Sequence, residues 1–141
     1  MDIDKGFQLE EPAVFIPWEV TEQGLVDLLS THGLRKVTRG YFTITCRSLS
    51  GMAHELGFHF TPRGGDFLHE LEFFRRSYAD QKGSYDEFQE HFELHFGRPT
   101  STNPGTEGFP THTWNLKRVE IVHFIFDRFG PEEHMRIKRK Y

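Results

Sequence analysis

A chain of 141 residues has the length of one domain. A chain of that size buries roughly 65 to 70% of its unfolded surface, so a core needs neither a disulfide nor a metal. Seventeen basic residues stand against 21 acidic ones, a formal net charge of -4 with histidine neutral; this gives no global attraction to nucleic acid or to an anionic membrane and mildly favours basic partners.

From the N-terminus, Ala13 to Ile16 is a short apolar run closed by Pro17 and Trp18, which fits an edge strand or a strap across the core. A first helix follows, with Thr21 as its cap, Leu25, Leu28, Leu29 and His32 at helical spacing, and Gly33 as a left-handed stop. Three strand signals come next. Tyr41 to Cys46 alternates, His54 to Phe60 sets Leu56, Phe58 and Phe60 on one face, and Phe67 to Phe73 sets Phe67, Leu71 and Phe73 on one face, with a turn at Thr61 to Asp66 between the last two. Beyond a polar link from Ser77 to Gly83, a second helix begins at Ser84, which forms a capping box with Glu87. Its stripe is Tyr85, Phe88, Phe92 and Phe96, and Gly97 with Pro99 ends it. A loop rich in Thr, Pro and Gly runs from Pro99 to Pro110, and strands are predicted over Thr111 to Leu116, Val119 to Arg128 and His134 to Tyr141. The middle one opens the stretch Val119 to Gly130, which is apolar on both faces and belongs in the interior of a sheet.

Both halves read as helix, glycine stop and three strands, which predicts an α+β fold. A duplicated helix-plus-three-strand unit, with pseudo-repeats at 21–76 and 84–141, forms one antiparallel sheet with two helices on one face, in a single domain spanning 1–141. Overlaying the halves sets Phe58 over Phe124, Phe60 over Phe126 and Leu71 over Ile137. That overlay assigns Val122, Phe124 and Phe126, with Leu56, Phe58 and Phe60, to the helix side. The other face then carries Trp114, Ile121, Ile125 and Leu68 with His59, His112 and His123 among them, ringed by Glu55, Glu70, Glu72, Arg136 and Lys138. An apolar centre with a charged rim is the pattern of a protein-binding surface. The alternatives are that the N-terminal segment with Phe15, Ile16 and Trp18 folds over this face, that a second subunit covers it, or that the faces are reversed.

Three groups could carry chemistry. Glu87, His91 and His95 recur every four residues on the second helix, the spacing of a carboxylate and two imidazoles reaching one metal; residues flanking a phenylalanine stripe read equally as amphipathic side chains at the core rim. A two-residue turn at Lys117-Arg118 would set His112 opposite His123 on the face that also holds Asp127, a set able to bind metal or act as a general base, or to be structural. Lys-Arg has little preference for such a turn. Glu55, Glu70 and Glu72 near His59 read as a solvated acidic face or as a patch for a basic partner. His54-Glu55 with His59 is one residue too long for the helical zinc motif. Arg63-Gly64-Gly65 reads as a turn, and the basic end, Arg136, Lys138, Arg139, Lys140 and Tyr141, as a charged edge strand able to touch phosphate.

A helix ending in F-G-R-P, a Gly/Pro loop, a strand with Trp114 and then E-I-V-H-F-I-F-D-R-F-G-P-E-E-H resembles small bacterial immunity proteins over the C-terminal third. That resemblance implies a protein that neutralises a toxin by binding it. In arrangement, a twice-repeated helix-plus-strands unit with an open sheet face is similar to the β-lactamase inhibitor protein fold. The expected function is a non-enzymatic protein-binding module needing no cofactor, docking a partner on the open face and the Pro99 to Pro110 loop. Trp114, Ile121 and Ile125 would be its anchors, and Glu55, Glu70 and Glu72 would steer a basic partner. The competing reading is a small metal-dependent or general-base hydrolase using His112, His123 and Asp127. RNA binding by the sheet runs against the acidic balance. A homo-oligomer is compatible with an apolar face. The lone Cys46 reads as a small buried hydrophobe, the start lacks a signal-peptide pattern, and no stretch reaches the roughly 18 apolar residues of a membrane span, so a soluble cytoplasmic protein is expected.

Overall fold

The computed structural model describes residues 1–60, 67–75, 80–127 and 131–140, with the backbone alone for Glu107, Asp127 and Pro131. The predicted turn Thr61 to Asp66 with its Arg63-Gly64-Gly65, the link residues 77–79, Arg128 and Tyr141 lie outside the described residues.

In chain order the elements are β1 (Gly6–Gln8), β2 (Phe15–Pro17), α1 (Glu22–Leu29) with a 3-10 turn at Ser30–His32, β3 (Arg35–Thr38), β4 (Tyr41–Ser48), β5 (Met52–Phe60), β6 (Leu68–Phe74), α2 (Gln81–Phe96), β7 (Ser101–Asn103), β8 (Thr111–Asn115), β9 (Val119–Asp127) and β10 (Pro131–Arg139). The fold is α+β. β1 and β2 form a separate two-stranded hairpin, and the other strands make one eight-stranded antiparallel sheet in the order β3-β4-β5-β6-β10-β9-β8-β7. Each helix leads into four strands where three were predicted. The additions, β3 and β7, are the sheet's two edges; they are short and exposed along their length, and Arg35 and Lys36 on β3 discourage edge pairing. The chain runs inward from each edge, so β6 and β10 meet at the centre with Leu71 opposite Ile137.

Local signals explain most boundaries. The Thr21 hydroxyl caps α1 by accepting the Gly24 N–H at 3.0 Å, and Gly33 stops the following turn at φ 86, where a side chain would be strained. At α2 the prediction is corrected. The helix starts at Gln81, capped by the Asp80 carboxylate on the N–H groups of Lys82 and Gly83, because an aspartate is an equally good cap one turn earlier. Ser84 and Glu87 are left to bond elsewhere.

One face of the sheet is sealed. Its inward row runs Phe42, Ile44, Leu56, Phe58, Leu71, Phe73, Met135, Ile137, Ile121 and Trp114, all buried. α2 lays Phe88 and Phe92 on this row, Phe92 meeting Phe73 and Trp114 edge-on at 5.5 and 5.8 Å. Leu25 and Leu29 of α1 join the same cluster. The N-terminal hairpin joins it too: Phe7 stands edge-on to Phe73 at 5.4 Å, and the buried Trp18 donates its indole N–H to the Ile3 carbonyl at 2.7 Å. Burying each such side chain contributes about 1.5 to 3 kcal/mol.

The predicted faces are therefore right for β5 and reversed for β9. Ile121, His123 and Ile125 are buried, whereas Val122 and Phe124 are only partly covered and Phe126 is 47% exposed. The error lies in the overlay. Phe58 stands across from Leu71, but the residue across from Ile137 is Ile121, three positions before Phe124. The connections differ in length, with 61–67 joining β5 to β6 and 128–130 joining β9 to β10, so no constant offset survives. An odd shift exchanges every side chain between faces. β6 carries a second parity change. Between the pairs His59 with Glu70 and Phe60 with Leu68, β6 advances two residues against one, so His69 is a bulge that turns Leu68 into the core and leaves Phe67 exposed.

Candidate functional site

The sheet face turned away from the helices is the candidate site, and alternation decides what it shows. Across its middle stand Tyr41 and Thr43 on β4, Glu55, Gly57 and His59 on β5, Glu70 and Glu72 on β6, His134, Arg136 and Lys138 on β10, and Val122 and Phe124 on β9. Arg136 lies between two carboxylates, 3.3 Å from Glu70 and 3.1 Å from Glu72, while Lys138 lies 4.0 Å from Glu70. These pairs follow directly from register, since Arg136 is across from Glu72 and Lys138 from Glu70. Glu72 is the hub. Its carboxylate is held below the ordinary range first by the His59 ring, whose Nε2 stands 3.5 Å away; burial pushes it up, and the Arg136 charge adds to the downward pull. The Tyr41 hydroxyl also bonds Glu72; burial first, then the Glu72 charge, pushes the phenol above its usual value.

Aromatic pairs flank this charged centre. Tyr41 stacks on His59 at 4.4 Å between ring centroids, and Phe124 stacks on His134 at 4.8 Å. Gly57 makes the first stack possible, because a Cβ there would lie 2.9 Å from the Tyr41 ring. Burial and the neighbouring Arg136 charge hold His134 below its ordinary value, so near neutrality it presents an uncharged ring. A cleft of about 360 Å³ opens beside these residues, walled by Tyr41, Phe74 and His134 and bordered by Glu72 and Glu132.

The predicted binding set is split by the sheet. Glu55, Glu70 and Glu72 are on this face, the first two nearly covered by their neighbours. Trp114, Ile121 and Ile125 are on the other, in the core, and the Trp114 indole N–H donates to the Gly97 carbonyl at 2.8 Å. Their placement as exposed anchors is corrected. Nor does the N-terminal segment cover the open face, since it packs on the helix side.

The histidine sets also separate. The turn at Lys117-Arg118 does put His112 opposite His123, with the Leu116 N–H on the Val119 carbonyl. Yet His112 bonds the Thr102 hydroxyl at 3.0 Å, and His123 is enclosed with the Glu133 carboxylate on Nε2 at 2.7 Å and the Gln89 amide oxygen on Nδ1 at 2.8 Å. Both ring nitrogens are thereby engaged by protein groups. Ser84 donates to the same Glu133 carboxylate at 2.7 Å, and Tyr85 stacks on His123 at 4.3 Å. The side chain of Asp127 is outside those described. This sealed network holds β9, β10 and α2 together and gives a substrate no access to the ring. Sequence reasoning missed Glu133 because it began the last strand at His134; the alternation Glu133, Met135, Ile137 was the available signal.

On α2 the predicted row comes apart for similar reasons. Glu87 turns to Arg75 at 2.5 Å, while the His91 ring bonds the Leu49 carbonyl at 2.5 Å and His95 bonds the Ser50 hydroxyl at 2.9 Å. Leu49, Ser50 and Gly51 form the β4–β5 turn with successive positive φ values of 54, 68 and 84. Glu10 completes the clamp by accepting the N–H groups of Ser50 and Gly51 at 2.9 and 2.6 Å. Both histidines brace a turn whose backbone is costly to hold. Among the described residues no three His, Cys, Asp or Glu side chains converge as metal ligands.

A second buried histidine, His54, accepts from the Ser48 hydroxyl at 2.5 Å and donates to the Glu55 carbonyl at 3.0 Å. Burial lowers it to about 4 and raises the adjacent Cys46 thiol to about 12, so neither ionises near neutrality, and both are closed off from solvent. No described helix is long and apolar enough to cross a membrane. No protein-family model, curated protein or solved structure matches the chain.

Proposed function

We propose that this protein is a non-enzymatic binding module of inhibitor or immunity type, acting in the cytoplasm, that docks a basic partner protein on the outward face of its sheet. The observation that carries the reading is one of layers: the ring contacts that α2 and the N-terminal hairpin make with the strands fall on the inward face, and no described helix lies over the outward one. That outward face is not an ordinary solvated surface. It keeps Val122, Phe124 and Phe126 beside a stacked Tyr41–His59 pair and a line of carboxylates. Aromatic and apolar side chains around a small polar centre are typical of protein interfaces.

The occupant follows from charge and shape. The cleft beside Glu72 and Glu132 has aromatic walls and acidic borders, which suits a lysine or arginine side chain of the partner: the carboxylates accept its N–H groups and the rings pack against its stem. Arg136 and Lys138 already answer Glu70, and Arg136 with His59 answers Glu72, so Glu132, which has the His134 ring at 3.6 Å and no lysine or arginine against it among the described residues, is the carboxylate we take to steer a partner. Descent from a duplicated helix-plus-strands unit belongs to the same reading, and the mirrored strand order supports it.

An array of short peptides rich in lysine, arginine or glutamate, probed with the wild-type protein and with Glu132→Gln and Phe126→Ser variants, tests this. The expected result is salt-sensitive retention on basic peptides that falls at least tenfold in both variants while their melting temperatures hold. Equal retention by both variants, or a preference for acidic peptides, would overturn the reading.

A further inference from the structure

At the end of the sheet where β8 turns into β9, a cleft of about 350 Å³ gathers Lys117, Arg118, Arg139 and Lys140, with Asp4 and Glu19 as the only carboxylates among its described lining residues. Four cations against two anions leave a local excess of two positive charges in a chain whose net charge is -4. We propose that this cleft is a binding site for a small phosphorylated molecule, taking a phosphate or pyrophosphate group between the hairpin tip and the C-terminal end of β10.

The hairpin tip supports this through its residues and through how it is held. A two-residue strand turn ordinarily draws Asn, Asp or Gly. Here it is Lys117-Arg118, and neither has a positive φ, so the residues bring no conformational advantage of their own. The turn is held from outside. The Asp4 carboxylate accepts the Arg118 N–H at 2.9 Å, and the Arg118 carbonyl accepts the Lys140 N–H at 2.8 Å. Asp4 therefore serves the backbone of the turn, which the N-terminal and C-terminal segments together fix against β10. A local rule is broken at a place that tertiary contacts stabilise, and its product is a pair of adjacent cations at the mouth of a cleft, the sort of departure expected at functional positions.

The four cations differ in their commitments. The Arg139 guanidinium reaches the Trp18 carbonyl at 3.3 Å and the Glu19 carboxylate at 3.2 Å, which orients it along the wall. The Lys140 ammonium donates to the Leu116 carbonyl at 2.6 Å and to the Asn115 amide oxygen, leaving one of its three N–H groups. Lys117 and Arg118 have no side-chain partner among the described residues. The site thus combines oriented cations at its wall with uncommitted ones at its mouth, and a dianionic phosphate with several acceptor oxygens can engage both. The cleft's volume lies at the small end of ligand sites, which run from about 300 to 1,000 Å³.

Pyrophosphate is the probe. Titrated into the full chain and followed by amide chemical shifts and by melting temperature, it should move the signals of residues 117, 118 and 140 saturably. It should also raise the melting temperature above that in sodium chloride of matched ionic strength. In a Lys117→Gln/Arg118→Gln double variant, whose turn backbone is still held by Asp4 and Lys140, affinity should fall at least tenfold while the unliganded melting temperature stays the same. Absence of a shift beyond the salt control, or an unchanged response in the double variant, would overturn the site. Salt-sensitive retention of single-stranded DNA that pyrophosphate cannot compete away would overturn it in favour of a polyanion-binding surface.

Discussion

Two charged clusters lie on opposite sides of β10, carried by residues three apart. Glu133 points inward and meets His123 with both side chains almost fully enclosed, at 0% and 2% exposure. Arg136 points outward and meets Glu70 and Glu72 where its own side chain is 29% exposed. The chemistry is similar and the surroundings are opposite. Inside, Ser84, Gln89 and Tyr85 complete the shell, so the pair acts as a structural tie between sheet and helix. Outside, water shares the work of solvation and the pairs can be remade around a partner. On this sheet an ionisable residue's role is set by strand parity before it is set by residue type.

Removing one member of each pair should separate the two sides of the strand. Glu133→Ala would leave His123 buried without its carboxylate and should cost about 3 to 5 kcal/mol, read by chemical denaturation. Arg136→Ala on the other side should cost under about 1 kcal/mol. Equal losses would mean that the outward face is itself part of the core. Trp114→Ala tests the inward face at an apolar position and should likewise cost about 3 to 5 kcal/mol; a small loss would restore Trp114 as a surface anchor.

Acid titration extends the same contrast to His54 on the inward row. Its folded value of about 4 lies below the ordinary value of 6.5, so the unfolded chain binds the extra proton in between and stability falls as pH drops from about 6.5 to about 4. About 3 kcal/mol is at stake at most, and the wild type should lose it across that window while His54→Gln shows a flatter acid limb. Burial lowers His69, His95, His112 and His134 as well, so part of the slope will remain in the variant. A parallel acid limb in His54→Gln would show that His54 is not held neutral. The smallest effect belongs to Phe126→Ser, which should change stability by no more than about 0.5 kcal/mol while reducing partner binding.

Much of the fold was legible in residues whose preferences are local. Thr21 and Gly33 bound the first helical segment as expected, the stripe Tyr85, Phe88 and Phe92 faces the core, and β4, β5, β8 and β9 lie close to their predicted spans. The hairpin register that sets His112 opposite His123 was also readable, because a two-residue connection leaves little choice. The candidate site was legible only in part. Glu72 and His59 were placed on the open face, while Phe124 was assigned to the helix side and Tyr41 and Glu132 were not singled out.

What the amino-acid order determined by itself was periodicity: which segments are helix or strand, and which side chains within one strand travel together. What only the tertiary structure decided was which of the two sides of each strand meets the helices. Alternation is symmetric for a strand such as Val119–Asp127 that is apolar on both sides. Its parity is fixed by the connection to β10 and by cross-strand pairing, which put Ile121 against Ile137. The same holds at Lys117-Arg118, where Asp4 and Lys140, from opposite ends of the chain, hold a turn for which the two residues have little preference.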